Sequence, residues 1–91
     1  MVQVCTYMGC IFYFPSSELG GGGRLKPPHI HVAKGKPYDH STSFWLDEVK
    51  LKYDSGEFKS KELSNIESYI KENRDYFIKK WFAFFSNSSF F

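Results

Sequence analysis

Two histidines, His29 and His31, are the residues whose type and spacing most clearly suggest chemistry. Two prolines precede them and bias the chain toward extended backbone. From that point apolar and polar residues alternate, which is the period of a β-strand. His29 and His31 are therefore predicted to share one face of a strand, with Ile30 and Val32 on the other face.

Acid–base catalysis is one use of such a pair. Two imidazoles could donate and accept protons in phosphodiester cleavage, because histidine titrates near neutral pH. The candidate catalytic residues are His29, His31 and Asp47, with the carboxylate of Asp47 orienting an imidazole. A bound phosphate would also need cations, and the candidates for substrate binding are Lys34, Lys36 and Arg24.

Two other interpretations of the histidines stay open. As metal ligands they would need a third group, for which His40 and Asp47 are the candidates. The chain has no cysteine cluster and no helical histidine pair, so we predict no metal site and no cofactor. As structural residues, both histidines would form hydrogen bonds across the sheet or to Asp47.

The composition indicates one small domain spanning residues 1–91. Aromatic residues make up 20% of the chain, which predicts that some apolar surface is left for a partner. The net charge of +2 neither requires nor excludes nucleic acid. Cys5 and Cys10 would lie on opposite faces of a continuous strand, so both are expected as free thiols in the cytoplasm. No apolar run approaches the length of a membrane span.

Segments before and after the histidines also favour strands. Val2–Phe14 is rich in aromatic and β-branched residues and should form one kinked strand or two short strands around Gly9. A flexible Gly-rich loop at 16–26 follows. Alternation then predicts a single strand in Phe44–Tyr53. Its inward-facing positions would be Trp45, Asp47, Val49, Leu51 and Tyr53.

One long helix is predicted from Lys61 to Phe85, with Ser60 as its N-cap. Its apolar residues recur at three- and four-residue steps, at Leu63, Ile66, Ile70, Phe77, Trp81 and then Phe84 or Phe85. Asn73 interrupts this stripe and is expected to be a buried amide. Because the last turns are apolar all round, an interface is predicted at Trp81, Phe84 and Phe85. The basic outer face of the helix gives weak support to nucleic-acid binding, through Lys71, Arg74, Lys79 and Lys80.

These elements predict an α+β fold: a small antiparallel sheet of three to four strands with one long C-terminal helix packed on one face. Eighteen aromatic rings exceed what the interior of so small a domain can hold. We therefore expect a homo-oligomer, or a complex with a small protein encoded nearby.

The order of several motifs resembles a family of short bacterial proteins that is known only as a domain of unknown function. These motifs are Pro-Pro-His-Ile-His-Val, Phe-Trp-Leu-Asp, Glu-Leu-x-x-Ile and a late Trp. The resemblance extends from about Gly9 to Phe85. It implies a compact α+β domain whose gene is often paired with that of another small domain, as in toxin–antitoxin modules. The chain differs in its Gly20–Gly23 loop, which is longer, and in Glu48, where proline is common.

Two functions follow from these observations. The first is a protein-interaction component of a bacterial two-gene module similar to a toxin–antitoxin pair. The second is a small hydrolase or nuclease-like effector that uses His29 and His31 as acid and base or as metal ligands. Balanced charge and abundant aromatic residues favour the first function, and the shared face of the two histidines favours the second.

Overall fold

The computed structural model describes residues 2–14, 27–35 and 41–89, with side chains for 3–14, 27–35 and 41–84. The Gly-rich loop at 16–26, the cations Arg24 and Lys36, and His40 lie outside the described residues, as does the side chain of Phe85. The described part forms an α+β domain with a five-stranded antiparallel sheet and two helices.

The strands of the sheet lie side by side in the order in which they occur along the chain. They are β1 (Val2–Tyr7), β2 (Cys10–Phe14), β3 (His29–Lys34), β4 (Thr42–Trp45) and β5 (Lys50–Tyr53). The predicted three to four strands were thus too few. The difference arises because the segment expected as one strand in Phe44–Tyr53 contributes to two strands.

A two-residue turn at Met8 and Gly9 joins β1 to β2. Both residues have positive φ, 50° and 74°, as a tight hairpin that follows the twist of its strands requires. Of the two arrangements predicted around Gly9, one kinked strand or two short strands, the structure has the two short strands. The expectation that Cys5 and Cys10 lie on opposite faces is wrong, because the turn brings both toward the same apolar core; both remain free thiols.

A turn at residues 46–49 separates β4 from β5. Leu46 and Val49 are buried there, whereas Asp47 is exposed. The guanidinium Nε of Arg74 donates to the backbone carbonyl oxygens of Leu46, at 2.9 Å, and of Asp47, at 3.0 Å. The predicted inward face is therefore wrong for Asp47, and the side chains of Leu51 and Tyr53 are also exposed.

Two helices replace the single predicted helix: α1 (Ser60–Glu72) and α2 (Arg74–Ser89). Asn73 separates them, with its side-chain Nδ2 donating to the carbonyl oxygen of Tyr69 at 2.9 Å. Asparagine favours such local bonds over regular helix, which explains the break. At the start of α1, Lys59 rather than Ser60 is the N-cap, and its backbone N–H donates to Glu62 Oε1 at 2.9 Å.

The hydrophobic core lies between the sheet and the two helices. Helix residues of the predicted stripe are buried in it, namely Ile66, Ile70, Phe77 and Trp81. Phe12 of β2 packs its ring against Tyr69 and Phe77, and the neighbouring Phe14 packs against Trp81. Because side chains alternate along a strand, Tyr13 between them points to the opposite face of the sheet.

Candidate functional site

His29 and His31 lie on one face of β3, as the alternation predicts. Their ring centroids are 5.5 Å apart, and the two residues are only 0% and 7% exposed. The ladder places His31 between Tyr13 of β2 and Ser43 of β4, and His29 opposite Trp45. The histidine pair is therefore a buried site, not a pair of rings open to solvent.

His31 belongs to a buried polar chain with Tyr13 and Ser41. The Ser41 hydroxyl is hydrogen-bonded to the Tyr13 hydroxyl, and it lies 3.2 Å from His31 Nδ1. A serine hydroxyl can donate to an imidazole nitrogen while it accepts from a phenol. Chemically, this arrangement resembles the start of an activated nucleophile, a serine beside a base. Burial of Ser41 places that hydroxyl inside the domain.

His29 is held by a hydrogen bond to a backbone carbonyl group and by contacts with two indole rings. Its Nδ1 is 2.9 Å from the carbonyl oxygen of Pro27, and because a carbonyl only accepts, Nδ1 is the protonated nitrogen. The His29 ring meets Trp45 nearly edge-on at 5.7 Å and lies 5.0 Å from Trp81. These contacts fix the tautomer and the orientation of the ring, which a positioning or catalytic role would both require.

Asp47 does not join the histidines. Its side chain is exposed in the β4–β5 turn. It lines a shallow pocket of about 270 Å³ together with Pro27, Trp45, Glu48 and Lys50. Trp45 both lines this pocket and meets the ring of His29 at 5.7 Å. The structure brings the two histidines together, as predicted, but places the proposed carboxylate elsewhere.

Lys34 stabilises the junction between β3 and α1. Its Nζ lies 3.1 Å from Glu62 Oε2, and its backbone N–H donates to Glu57 Oε1 at 2.7 Å. Its ammonium also lies 5.2 Å from the ring centre of Phe58. The backbone N–H of Lys59 and the Lys34 ammonium lower the pKa of Glu62 below its usual value. Lys34 is three residues from His31, so it points to the opposite face of the sheet.

Two of the three aromatic residues predicted at an interface pack against other residues of the domain. Trp81 is 1% exposed, and Phe84 stacks on Phe14 with ring centroids 6.1 Å apart. Among the described side chains of α2, the exposed aromatic residues are Tyr76, at 45%, and Phe82, at 49%. Neither was among the predicted interface residues, although Phe82 lies in the turns expected to be apolar all round. Their positions off the apolar stripe were the available signal.

A second cluster joins Cys5 to the helices. Cys5 Sγ lies 3.7 Å from the hydroxyl of Tyr69, whose ring stacks on Tyr7 with centroids 3.8 Å apart. The hydrogen bond to Cys5, together with burial, raises the pKa of Tyr69 to about 12. Burial also raises the pKa values of the Cys5 and Cys10 thiols, which makes both poor nucleophiles at neutral pH.

Within the described ranges, no group of three or more His, Cys, Asp or Glu side chains is arranged to hold a metal ion. The helices of that part of the chain are too short or too polar to cross a membrane.

The five-stranded sheet and the two helices make this a small α+β domain, and it contains a buried pair of histidines. Residues 9–82 match the family described as Domain of unknown function (DUF4160), and the chain belongs to that family. Neither a curated protein nor a solved structure matches the chain.

Proposed function

We propose that the protein is the protein-binding component of a bacterial two-gene module similar to a toxin–antitoxin pair. The observation that supports this proposal is a set of exposed side chains on α2, namely Tyr76, Lys79, Lys80 and Phe82, which we call the aromatic–lysine surface. The resemblance described above, which implies gene pairing, supports the same function.

The chemistry of this surface favours a protein partner. Large aromatic side chains with nearly half of their surface exposed are typical of binding sites, where they bury much area at little entropic cost. Lys80 Nζ lies 5.5 Å from the ring centre of Tyr76, so the ring and the charge form one unit. A complementary partner would present an apolar pocket bordered by carboxylates.

Burial of the histidine pair is the reason for preferring binding to catalysis. A substrate would have to reach rings that are almost entirely covered, whereas the aromatic–lysine surface is accessible without any rearrangement. The contacts of His29 with two tryptophans and of His31 with Ser41 account for both side chains as structural groups.

The test is a binding measurement with the product of the gene adjacent to its own, purified after co-expression. Titration calorimetry should give a defined complex, and Phe82→Ala should weaken its Kd at least tenfold. Tyr53→Ala removes a similarly exposed aromatic side chain from β5 and should change Kd less than twofold. Absence of binding, or equal weakening by the two variants, would contradict the proposal.

The hydrolase is kept as a second proposal because of the contact between Ser41 and His31. Ser41 Oγ would attack phosphorus and give its proton to His31, and the P–O bond to the leaving alcohol would break as that alcohol takes a proton from the doubly protonated form of His29. Water would then hydrolyse the Ser41 phosphoester and restore the free hydroxyl. Hydrolysis of bis(p-nitrophenyl) phosphate that is lost in His31→Asn, in a variant that remains folded, would support this function. Equal rates for the wild type and this variant would dismiss it.

A further inference from the structure

The two outer strands of the described sheet, β1 and β5, differ in length and in charge. Each presents backbone N–H and C=O groups that no other described strand pairs. Such an edge is a template for another strand unless charge, proline, short length or a bulge protects it.

The β5 edge is protected against pairing with itself. It has four residues, and two of them, Lys50 and Lys52, are cationic. Antiparallel pairing of two β5 strands would bring four ammonium groups together, and like charges on opposed strands are destabilising. This edge therefore disfavours a second copy of the chain.

The β1 edge has the opposite character. Val2–Tyr7 is six residues long and contains no charged residue. Tyr7 and Cys10 flank the two-residue turn and form the hydrogen-bonded pair that closes it. The next pair, Thr6 with Ile11, is then non-hydrogen-bonded, so the N–H and C=O of Thr6 point away from β2, toward the open edge.

We propose that β1 pairs antiparallel with β1 of a second copy, with a twofold axis beside Thr6. The N–H of each Thr6 would donate to the carbonyl oxygen of the other Thr6. This register places Cys5 opposite Tyr7 of the second copy. Met8 is 66% exposed, the highest value among the exposed large apolar side chains of the described residues, and it lies in the turn at the end of this ladder, where association would cover part of its surface.

The bulge in β1 limits this ladder to the part of the strand that follows Val4. The register shifts between Gln3 and Cys5, where a bulge increases local twist. Pairing centred on Thr6 uses Cys5, Thr6 and Tyr7, which lie between the bulge at Val4 and the turn residue Met8. A twofold contact also closes on itself, whereas pairing β1 with β5 of another copy would continue into an open array.

Light scattering across a tenfold dilution tests the proposal. The wild type should have twice the 10.6 kDa mass of the single chain. Thr6→Lys should raise the dimer dissociation constant at least tenfold, because two ammonium groups would face each other at the axis. Leu51→Lys adds the same charge at an exposed position of β5 and should leave the dimer unchanged. A monomeric wild type, or a folded Thr6→Lys variant that stays dimeric, would overturn the proposal.

A charge exchange makes the test specific for the register. Thr6→Glu should dissociate as Thr6→Lys does, and an equimolar mixture of the two variants should recover the doubled mass. Failure of the mixture to associate, with both variants folded by circular dichroism, would place the contact elsewhere. Because the surface involved is not that of α2, loss of the dimer should leave the Kd of the proposed partner unchanged.

Discussion

Trp81 packs its indole ring against the imidazole of His29, with centroids 5.0 Å apart, and against the ring of Phe14 at 5.3 Å. Phe14 and His29 come from β2 and β3 and point to opposite faces by strand alternation. One side chain near the end of α2 therefore covers the edge of the core and one wall of the histidine site. Changes to Trp81 should affect both.

Replacement of Trp81 by alanine should lower the free energy of unfolding by about 3–5 kcal/mol, since a buried aromatic side chain leaves a cavity. The midpoint of urea unfolding measures this loss. Phe82→Ala is the matched control in the next position of the same helix, and it should change stability by less than about 0.5 kcal/mol because Phe82 is exposed. A Trp81→Ala midpoint equal to that of the wild type would contradict the assignment of Trp81 to the core.

Replacement of Ser41 by alanine should destabilise the domain by about 1–3 kcal/mol, because it removes the hydroxyl that bonds both Tyr13 and His31 inside the protein. The same urea measurement applies. Ser68→Ala, at an exposed position of α1, serves as the control and should have almost no effect. An unchanged midpoint for Ser41→Ala would mean that this polar chain does not stabilise the fold.

The stability of the protein should fall in alkaline solution through Tyr69. Its pKa is raised from 10.0 to about 12 in the folded protein, so folding favours the neutral phenol. The resulting stabilisation is complete below pH 10 and is lost as the pH rises toward 12. Absorbance of the tyrosinate measures the titration. Cys5→Ala should lower the pKa of Tyr69 toward 10.0, because the hydrogen bond to Cys5 is the largest cause of the shift.

Cys10→Ala is the control for that titration, since Cys10 is a buried thiol that is not bonded to Tyr69. Its tyrosine titration should match that of the wild type. If Cys5→Ala also left the titration unchanged, the contact between Cys5 and Tyr69 would not be the cause of the raised pKa.

Glu62 should contribute to stability at neutral pH and not in acid. The N–H of Lys59 and the ammonium of Lys34 lower the pKa of Glu62 below the usual 4.5. The stabilising effect of Glu62 is therefore present above pH 4.5 and is lost as the pH falls through the pKa of Glu62 in the folded protein. The urea midpoints of the wild type and Glu62→Gln should differ at pH 7 and converge as the pH falls through the folded pKa of Glu62. Glu67→Gln, which loses only the pairing with Lys71 one turn away, should show a smaller difference at pH 7.

Local patterns were sufficient to predict much of the fold. The β3 strand, the interruption of the first strand segment at Gly9, and the burial of Ile66, Ile70 and Phe77 follow from alternation, turn chemistry and helical period. The division of the segment after residue 43 into two strands could not be predicted from these patterns. No glycine or proline marks the 46–49 turn. Its carbonyl groups accept hydrogen bonds from Arg74, and Arg74 follows Asp47 by 27 residues in the chain.

The candidate site was only half predictable for a similar reason. A two-residue spacing is enough to place His29 and His31 on one face. Their partners come from other elements: Tyr13 through the register of β2 and Ser41 from the residue before β4. Register depends on pairing across the whole sheet, and no motif at Ser41 indicates that its hydroxyl meets His31.

The order of the strands has a consequence for synthesis on the ribosome. Each strand pairs with its neighbour in sequence, so the sheet can form while the chain is still emerging. The rings that cover it are supplied last: Tyr69 reaches Cys5 across 64 residues, and Trp81 follows later still. We therefore expect a nascent chain that ends before α2 to expose the apolar side of its sheet and to bind chaperones. Release of chaperones should coincide with the emergence of residue 81, which arrested chains of increasing length would reveal by crosslinking.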